Sequence, residues 1–399
     1  MTSTTTITVV GGCGHVGLPL GIALAESAGT VTLLDIAEPV VELVNSGQAP
    51  FLEPGMAEAL AAVRAAGTLE ATTDTSCVSR SDVVVIVIGT PVDEHLNPDP
   101  NAVVAAIDAI AGHMRDGQLV VLRSTVYPGV TAMVERHLQR RGLALDVAFC
   151  PERIAEGKAM EELRSLPQII GANTESARVR AGALFGTLTN TLIDTTPEEA
   201  ELAKLFTNTW RYIKFATANQ FLMIANDHEL DFDRIRDAIT LDYPRAADMP
   251  RAGFAAGPCL FKDTMQLAAF NDNGFQIGHA AMLVNEGLPL YVVSQIERDY
   301  DISDMTVGIL GMAFKAESDD IRSSLSYKLK RILRFKAKAV LCTDPYVAAA
   351  TDSTLVPLDE VLAQADILVI GAPHPEYRGL ETALPVKDVW GITGRGVRL

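Results

Sequence analysis

The chain alternates between two hydrophobic patterns: short continuous apolar runs that stop at glycine or hydroxyl residues, and longer stretches with apolar positions at helical spacing. "TITVVGG" opens the first kind, and "SDVVVIVIGTP" and "GQLVVLRSTVYPG" continue it. Such runs, apolar at successive positions, suit strands buried on both faces of a parallel sheet. The opening stretch "TITVVGGCGHVGLPLGIALAESAGTVTLLD" reads as strand, glycine turn, helix and second strand ending at Asp35, which is a βαβ unit.

A different pattern begins at "TTPEEAELAKLFTNTWRYIKFATANQFLMIAND". Thr196, Pro197 and Glu199 form a capping box with proline at the first helical position, and some thirty residues of helix follow without a break. So long a helix between α/β halves reads as a connecting spine, and its apolar content predicts packing against a second subunit. After Asp304 the strand pattern restarts with "MTVGILGMAFK", the helix "SSLSYKLKRILRF" and the strand "KAVLCTDP". The later "DEVLAQADILVIGAPHPE" echoes "SCVSRSDVVVIVIGTPVDE" in order and chemistry. The expected fold is α/β, with two Rossmann-like doubly wound parallel-sheet domains joined by a long central helix and a helical middle domain. The expected boundaries are 1–196, 197–300 and 301–399.

At 399 residues the chain is long enough for two or three domains. No apolar run approaches the roughly 18 to 20 residues of a membrane span, so no bilayer crossing is expected. Its start, "MTSTTTITVVGG", has no basic segment before an apolar one and reads as a strand rather than a signal peptide, which predicts a cytoplasmic protein. The net charge of −17 repels nucleic acid and anionic membrane surfaces, so any anionic ligand must be held by local cations and helix N-termini. The five cysteines, Cys13, Cys77, Cys150, Cys259 and Cys342, are odd in number and widely spaced, which argues against disulfides and against a metal site.

Gly12, Gly14 and Gly17 supply G-x-G-x-x-G after the first strand, and Asp35 follows Gly17 by 18 residues. Alone the glycines are a weak signal. With strand, helix and terminal carboxylate in place they predict a dinucleotide, and NAD over NADP because Asp35 would repel a 2′-phosphate. Ser124 and Thr125 end another strand on hydroxyls, which fits a ligand crevice as well as it fits an ordinary turn. Lys204 and Asn208 lie four apart on one helix face, able to meet an alkoxide together or simply to form an exposed polar stripe. Glu152 and Glu156 are also four apart, with Arg153 between them as a possible neutraliser. "AGPCLFKDT" sets Cys259 in a glycine-rich turn before a helical pattern, where amide dipoles and Lys262 favour a thiolate; an isolated cysteine is otherwise most often core filler.

The order of "GCGHVG", "EPGM", "GTP", "STVYPG", "PERIAEG", "AELAKLFTN", "GPCLFKDT" and "GMAFKAESDDIRSS" resembles the UDP-glucose/GDP-mannose dehydrogenase family over essentially the whole chain. The resemblance implies oxidation of C6 of a nucleotide-linked hexose to the uronate with NAD as cofactor, through thiohemiacetal and thioester intermediates on a cysteine. It implies Cys259 as nucleophile, Lys204 and Asn208 at the oxyanion, Asp263 as base or orienter, and Glu152 with Thr125 on the hydrolytic water. NAD would meet Gly12, Gly14, His15, Val16, Gly17, Asp35, Thr90, Pro91, Ser124, Thr125, Glu156, Lys262 and Arg322. The sugar nucleotide would meet Glu152, Lys204, Asn208, Gly253, Gly257, Phe314 and Lys315, and Arg245 or Arg251 would cross the interface of a homodimer built on the central helix. "PER" leans toward UDP-N-acetylhexosamines and "KDT" toward UDP-glucose, while Ala256 and Phe261 depart from the family pattern. Two other readings are a two-electron β-hydroxyacid-type dehydrogenase, which needs no cysteine, and a non-catalytic nucleotide-sugar sensor.

Overall fold

A computed structural model describes residues 5–90, 99–255, 257–394 and 399. The chain falls into two compact units, Met1–Thr207 and Asn208–Leu399, with the division inside one helix.

The strands of the first unit are β1 (Thr5–Val10), β2 (Gly29–Leu34), β3 (Leu69–Thr72), β4 (Val83–Ile86), β5 (Leu119–Leu122), β6 (Asp146–Phe149), β7 (Gln168–Ala172) and β8 (Leu192–Thr195). Its helices are α1 (Gly17–Ser27), α2 (Glu38–Asn45), α3 (Met56–Ala66), α4 (Asn101–Ile110), α5 (Val130–Arg140), α6 (Ala159–Ser165) and α7 (Glu175–Phe185), and α8 (Pro197–Asp227) begins here. Among the described residues the strands form one sheet in the order β3-β2-β1-β4-β5-β6-β7-β8. The first six are parallel in the 3-2-1-4-5-6 order of a dinucleotide-binding sheet, with the order reversing between β1 and β4. Side chains alternate between two cores as strand geometry requires: Val83 and Val85 enter one, Val84 and Ile86 the other. Each fully buried Val, Leu or Ile contributes about 1.5–3 kcal/mol, so both faces hold the sheet.

The sheet is mixed where a parallel one was expected. β7 pairs antiparallel with β6, and β8 runs parallel to β7. An antiparallel neighbour is entered at the same end of the sheet that the previous strand leaves. Residues 150–167 therefore stay at the carboxyl edge of the parallel strands, where ligands bind in such folds. The expected capping box is present at α8: Thr196 N donates to Glu199 Oε2 (3.0 Å) and Glu199 N to Thr196 Oγ1 (3.3 Å).

The second unit contains the rest of α8, then α9 (Phe232–Thr240), α10 (Leu260–Phe270), α11 (Gln276–Asp299), β9 (Thr306–Leu310), α12 (Leu325–Lys336), β10 (Ala339–Thr343), α13 (Leu358–Gln364), β11 (Ile367–Ile370) and β12 (Val386–Lys387). The strands form a second parallel sheet, β10-β9-β11-β12, again with its order reversing beside the strand that leads into a glycine turn. Val307, Ile309, Ile367 and Val369 pack with Leu329 and Leu333 of α12 and with Leu288, Val292 and Ile296 of α11. Among the described residues no helix is long and apolar enough to cross a membrane, and no cluster of His, Cys, Asp and Glu could hold a metal ion.

Candidate active site

The glycine turn of the first unit is shaped by contact. A Cβ on Gly17 would lie 2.4 Å from the Gly11 carbonyl oxygen, so only glycine lets α1 start against β1. Gly14 differs, because a Cβ there would meet nothing nearer than 3.8 Å. The protein leaves that side of the turn open, and the missing side chain lets a ligand reach the backbone. Val16 is the N-cap of α1, and the His15 ring lies 4.0 Å from that of Phe51. Asp35 Oδ2 accepts from Cys13 N (3.0 Å) and Oδ1 from Ala37 N (3.2 Å), which fixes a half-buried carboxylate beside the turn. The open turn, the helix N-terminus and the carboxylate fit a dinucleotide with free ribose hydroxyls.

The ends of β4 and β5 are tied together. Ile88 N donates to Ser124 Oγ (2.7 Å) and Thr90 Oγ1 to the Thr125 carbonyl (2.6 Å); Pro91 lies outside the described residues. Glu201 of α8, fully buried, accepts from Gly129 N (2.6 Å), Thr131 N (2.8 Å) and Thr131 Oγ1 (2.5 Å). It caps α5 and anchors the "STVYPG" turn. Burial leaves its carboxyl above the ordinary range despite those bonds. Glu201 lay in a quoted motif, yet its capping role was not read from the sequence.

Glu152 is buried and ion-paired to Arg123, while Arg153 N (2.7 Å) and Ile154 N (2.9 Å) donate to its Oε1. Arg123 also donates to the Cys150 carbonyl (3.1 Å) and Gln168 Oε1 (2.9 Å) and lies over the Phe185 ring. The arginine suspected from sequence, Arg153, instead donates through its guanidinium to the Pro167 carbonyl. Glu53 of "EPGM" accepts from Gly157 N (2.8 Å) and Ala159 N (2.9 Å), and Glu162 from Ala155 N (2.6 Å). Carboxylates thus order the loop that carries Glu152 and the half-exposed Glu156. Lys204, on α8, is only 8% exposed and has no hydrogen bond or ion pair among the described residues. A cation with no counter-ion in the protein is available to an anionic group of a ligand.

In the second unit Asn208 of α8 donates through Nδ2 to Asp263 Oδ2 (2.6 Å), and Lys262 Nζ lies 2.9 Å from Asp263 Oδ1. Asp263 has no exposed surface, so its carboxylate orients these two side chains. Cys259 is exposed and is the N-cap of α10. The other four cysteines are buried: burial pushes Cys13 and Cys150 up to about 12 and Cys342 to about 11, and raises Cys77.

The loop before Cys259 is held from behind. Asn219 accepts from Gly253 N (2.9 Å), donates to the Gly253 carbonyl (3.0 Å) and donates to Asn285 Oδ1 (2.9 Å), all buried. Gly253, at φ +150°, sits against the Trp390 ring, and Gly257, at φ +103°, against Phe314. The structure therefore brings together Gly257, Phe314 and Lys315, whose Nζ is 5.6 Å from the Phe314 ring centre. Arg322 pairs with Asp320 (2.5 Å). Arg251 pairs with Asp233 (2.9 Å) and Arg245 lies over Tyr243.

Models of the UDP-glucose/GDP-mannose dehydrogenase family match three stretches: the NAD binding domain at residues 5–189, the central domain at 198–286 and the UDP binding domain at 308–395. The chain is 31% identical to UDP-N-acetyl-D-mannosamine dehydrogenase of Pyrococcus horikoshii over 97% of its own length and 92% of that protein's. It is 30% identical to UDP-glucose 6-dehydrogenase of Haloferax volcanii over 93% and 92%. Among solved structures, a UDP-glucose dehydrogenase from Pyrobaculum islandicum superposes with a TM-score of 0.91 at 28% identity, covering 98% of this chain and 96% of that one.

Proposed function

The chain belongs to the UDP-glucose/GDP-mannose dehydrogenase family, and from that premise we propose that it oxidises C6 of a UDP-linked hexose to the carboxylate in two steps through Cys259. It is an NAD-dependent UDP-sugar dehydrogenase. The observation that carries the two-step reading is the single exposed cysteine heading α10 while the other four are buried.

When bound, NAD⁺ would accept one hydride in each oxidation step, a separate NAD⁺ for each. The chain supplies the rest. Lys204 stabilises the alkoxide that forms as the C6 hydroxyl passes its proton to a water molecule, and Asn208, oriented by Asp263, donates to the same oxygen. The Cys259 thiolate adds to the aldehyde carbon, and the thiohemiacetal oxygen regenerates an alkoxide from which the second hydride leaves, giving a thioester. Water then attacks the thioester carbon, the C–S bond breaks and the thiolate departs. Glu152, anchored by Arg123 and two amides, positions that water with Thr125. Asp35 receives the ribose hydroxyls, Gly14 the pyrophosphate, and Phe314, Lys315, Gly253 and Gly257 the sugar nucleotide. Lys262 and Arg322 serve the cofactor phosphates after exchanging Asp263 and Asp320 as partners.

A homodimer is supported by Trp210, Phe221 and Ile224, large apolar side chains roughly half exposed at helical spacing along α8. The test of the reaction is to supply NAD⁺ with UDP-glucose, UDP-N-acetylglucosamine, UDP-N-acetylmannosamine or GDP-mannose and count NADH per sugar consumed. Two NADH with a uronate product is expected from one UDP-sugar. One NADH would mean a two-electron dehydrogenase, and none with any UDP-sugar would refute the proposal.

A further inference from the structure

His374 has no part in the reading above, yet its two ring nitrogens bridge the second glycine turn and the Phe314–Lys315 segment. The imidazole is fully buried in the loop after β11. Nε2 lies 3.0 Å from Asp344 Oδ2, and Nδ1 lies 3.1 Å from Glu317 N. A backbone N–H can only donate, so Nδ1 is the acceptor and Nε2 carries the proton that faces the carboxylate. This bonding pattern assigns one neutral tautomer.

Asp344 is itself immobile. Its Oδ2 also accepts from Met312 N (2.6 Å) and Ala313 N (2.9 Å), and its Oδ1 from Tyr346 N (2.8 Å) and Val347 N (3.1 Å). Tyr346 stacks on the imidazole at 4.9 Å and Tyr377 meets it edge-on at 5.8 Å, so the ring cannot turn. What this rigid ring holds is strained. Glu317 is a non-glycine residue at φ +51°, inside a segment closed by Phe314 N donating to the Asp320 carbonyl (3.0 Å). Backbone in that region persists only where its surroundings enforce it.

We propose that His374 is a positioning residue for the sugar nucleotide: its Nδ1 tethers Glu317 and so fixes the segment that presents Phe314 and Lys315. The inference rests on the reading that those two side chains meet the UDP-sugar.

Two near-isosteric variants separate the two nitrogens. His374→Asn sets an amide oxygen near the place of Nδ1 and gives up the reach to Asp344; His374→Gln reaches toward Asp344 and gives up the acceptor for Glu317. Both are made in the full chain, and UDP binding is measured by calorimetry alongside NADH kinetics and thermal unfolding. His374→Gln should weaken UDP binding by about tenfold, the effect of one lost positioning hydrogen bond, and raise KM for the UDP-sugar with little change in KM for NAD⁺. His374→Asn should stay within about twofold of wild type in UDP affinity. Equal UDP affinity in the two variants, or losses that merely follow their thermal midpoints, would overturn the inference. A wild-type chain that does not bind UDP would instead overturn the reading of Phe314 and Lys315 on which it stands, and the inference with it.

Discussion

Alkylation should single out one of the five thiols. Thiolate, not thiol, attacks iodoacetamide, so the rate at a given pH follows the ionised fraction and the access of the sulfur. Cys13 and Cys150 are pushed up to about 12 by burial, with Asp35 adding to the effect at Cys13. At pH 8 each is ionised to only ~10⁻⁴, and Cys342, raised to about 11, to ~10⁻³. All three are also sealed from reagent, as is Cys77. Cys259 is exposed at the head of α10, where the helix N-terminus favours an anion. Native protein treated with iodoacetamide at pH 8 should therefore take up one carbamidomethyl group, on Cys259, at least ~100-fold faster than on any other cysteine. Peptide mapping by mass spectrometry locates the label while NADH production is followed in parallel. Activity should fall in step with labelling, and a UDP-sugar should protect. Comparable labelling of Cys13 or Cys150, or full activity with Cys259 alkylated, would refute the reasoning.

Asp263→Asn removes the buried charge between Asn208 and Lys262; it should lower the thermal midpoint and cut kcat by about 10²-fold through misorientation of Asn208, measured as NADH production at saturating substrates. Asp35→Asn should raise KM for NAD⁺ by about tenfold and lower KM for NADP⁺, because on the proposed reading the carboxylate accepts ribose hydroxyls and would repel a 2′-phosphate. Burial alone would raise the Asp344 carboxyl, but His374 and the surrounding amides hold it below the ordinary carboxylate range. Its contribution to stability is therefore present above the unfolded value of about 3.9 and lost as pH falls through the folded one, so Asp344→Asn should cost ~3 kcal/mol in denaturant unfolding at pH 7 and clearly less at pH 3.

What could be read in advance was whatever depends on neighbours in sequence. The Thr196–Glu199 capping box, the start of α8 at Pro197 and the glycine turn after β1 follow from residues within a few positions of one another, and each appears where its spacing put it. Partners set by the sheet were hidden. Arg123 follows β5 and Glu152 follows β6, 29 positions away, and only the pairing of those two strands makes them neighbours. Sequence proximity favoured Arg153 instead. The antiparallel turn of β7 was illegible for the same reason: "SLPQIIGAN" is as apolar as the parallel strands, and direction depends on which end of the sheet the connection leaves. Glu53 and Glu201 were legible as residues of recurring motifs but not as caps, because the amides they accept from lie 104 and about 70 positions away.

The two glycine turns explain why one architecture used twice takes two ligands. Each follows the first strand of its sheet, and each faces an aspartate at the end of the next strand, Asp35 after β2 and Asp344 after β10. Asp35 is bonded to two amides on its own side of the turn and stays half-buried, with carboxylate lone pairs left for hydroxyl donors. Asp344 accepts from four amides and from His374, and its side chain has no exposed surface, so no ribose can reach it. At equivalent places both turns are closed, since a Cβ on Gly11 would lie 2.1 Å from the Val87 carbonyl oxygen and one on Gly311 2.5 Å from Ala372 N; three residues further, where the first turn has the open Gly14, the second has Phe314. Recognition in the second unit must then come from what projects beyond the turn, and the segment from Phe314 to Arg322 carries an aromatic ring and two cations there. On the proposed reading the first unit meets a dinucleotide with its turn, whereas the second has turned the same carboxylate into the anchor of a loop.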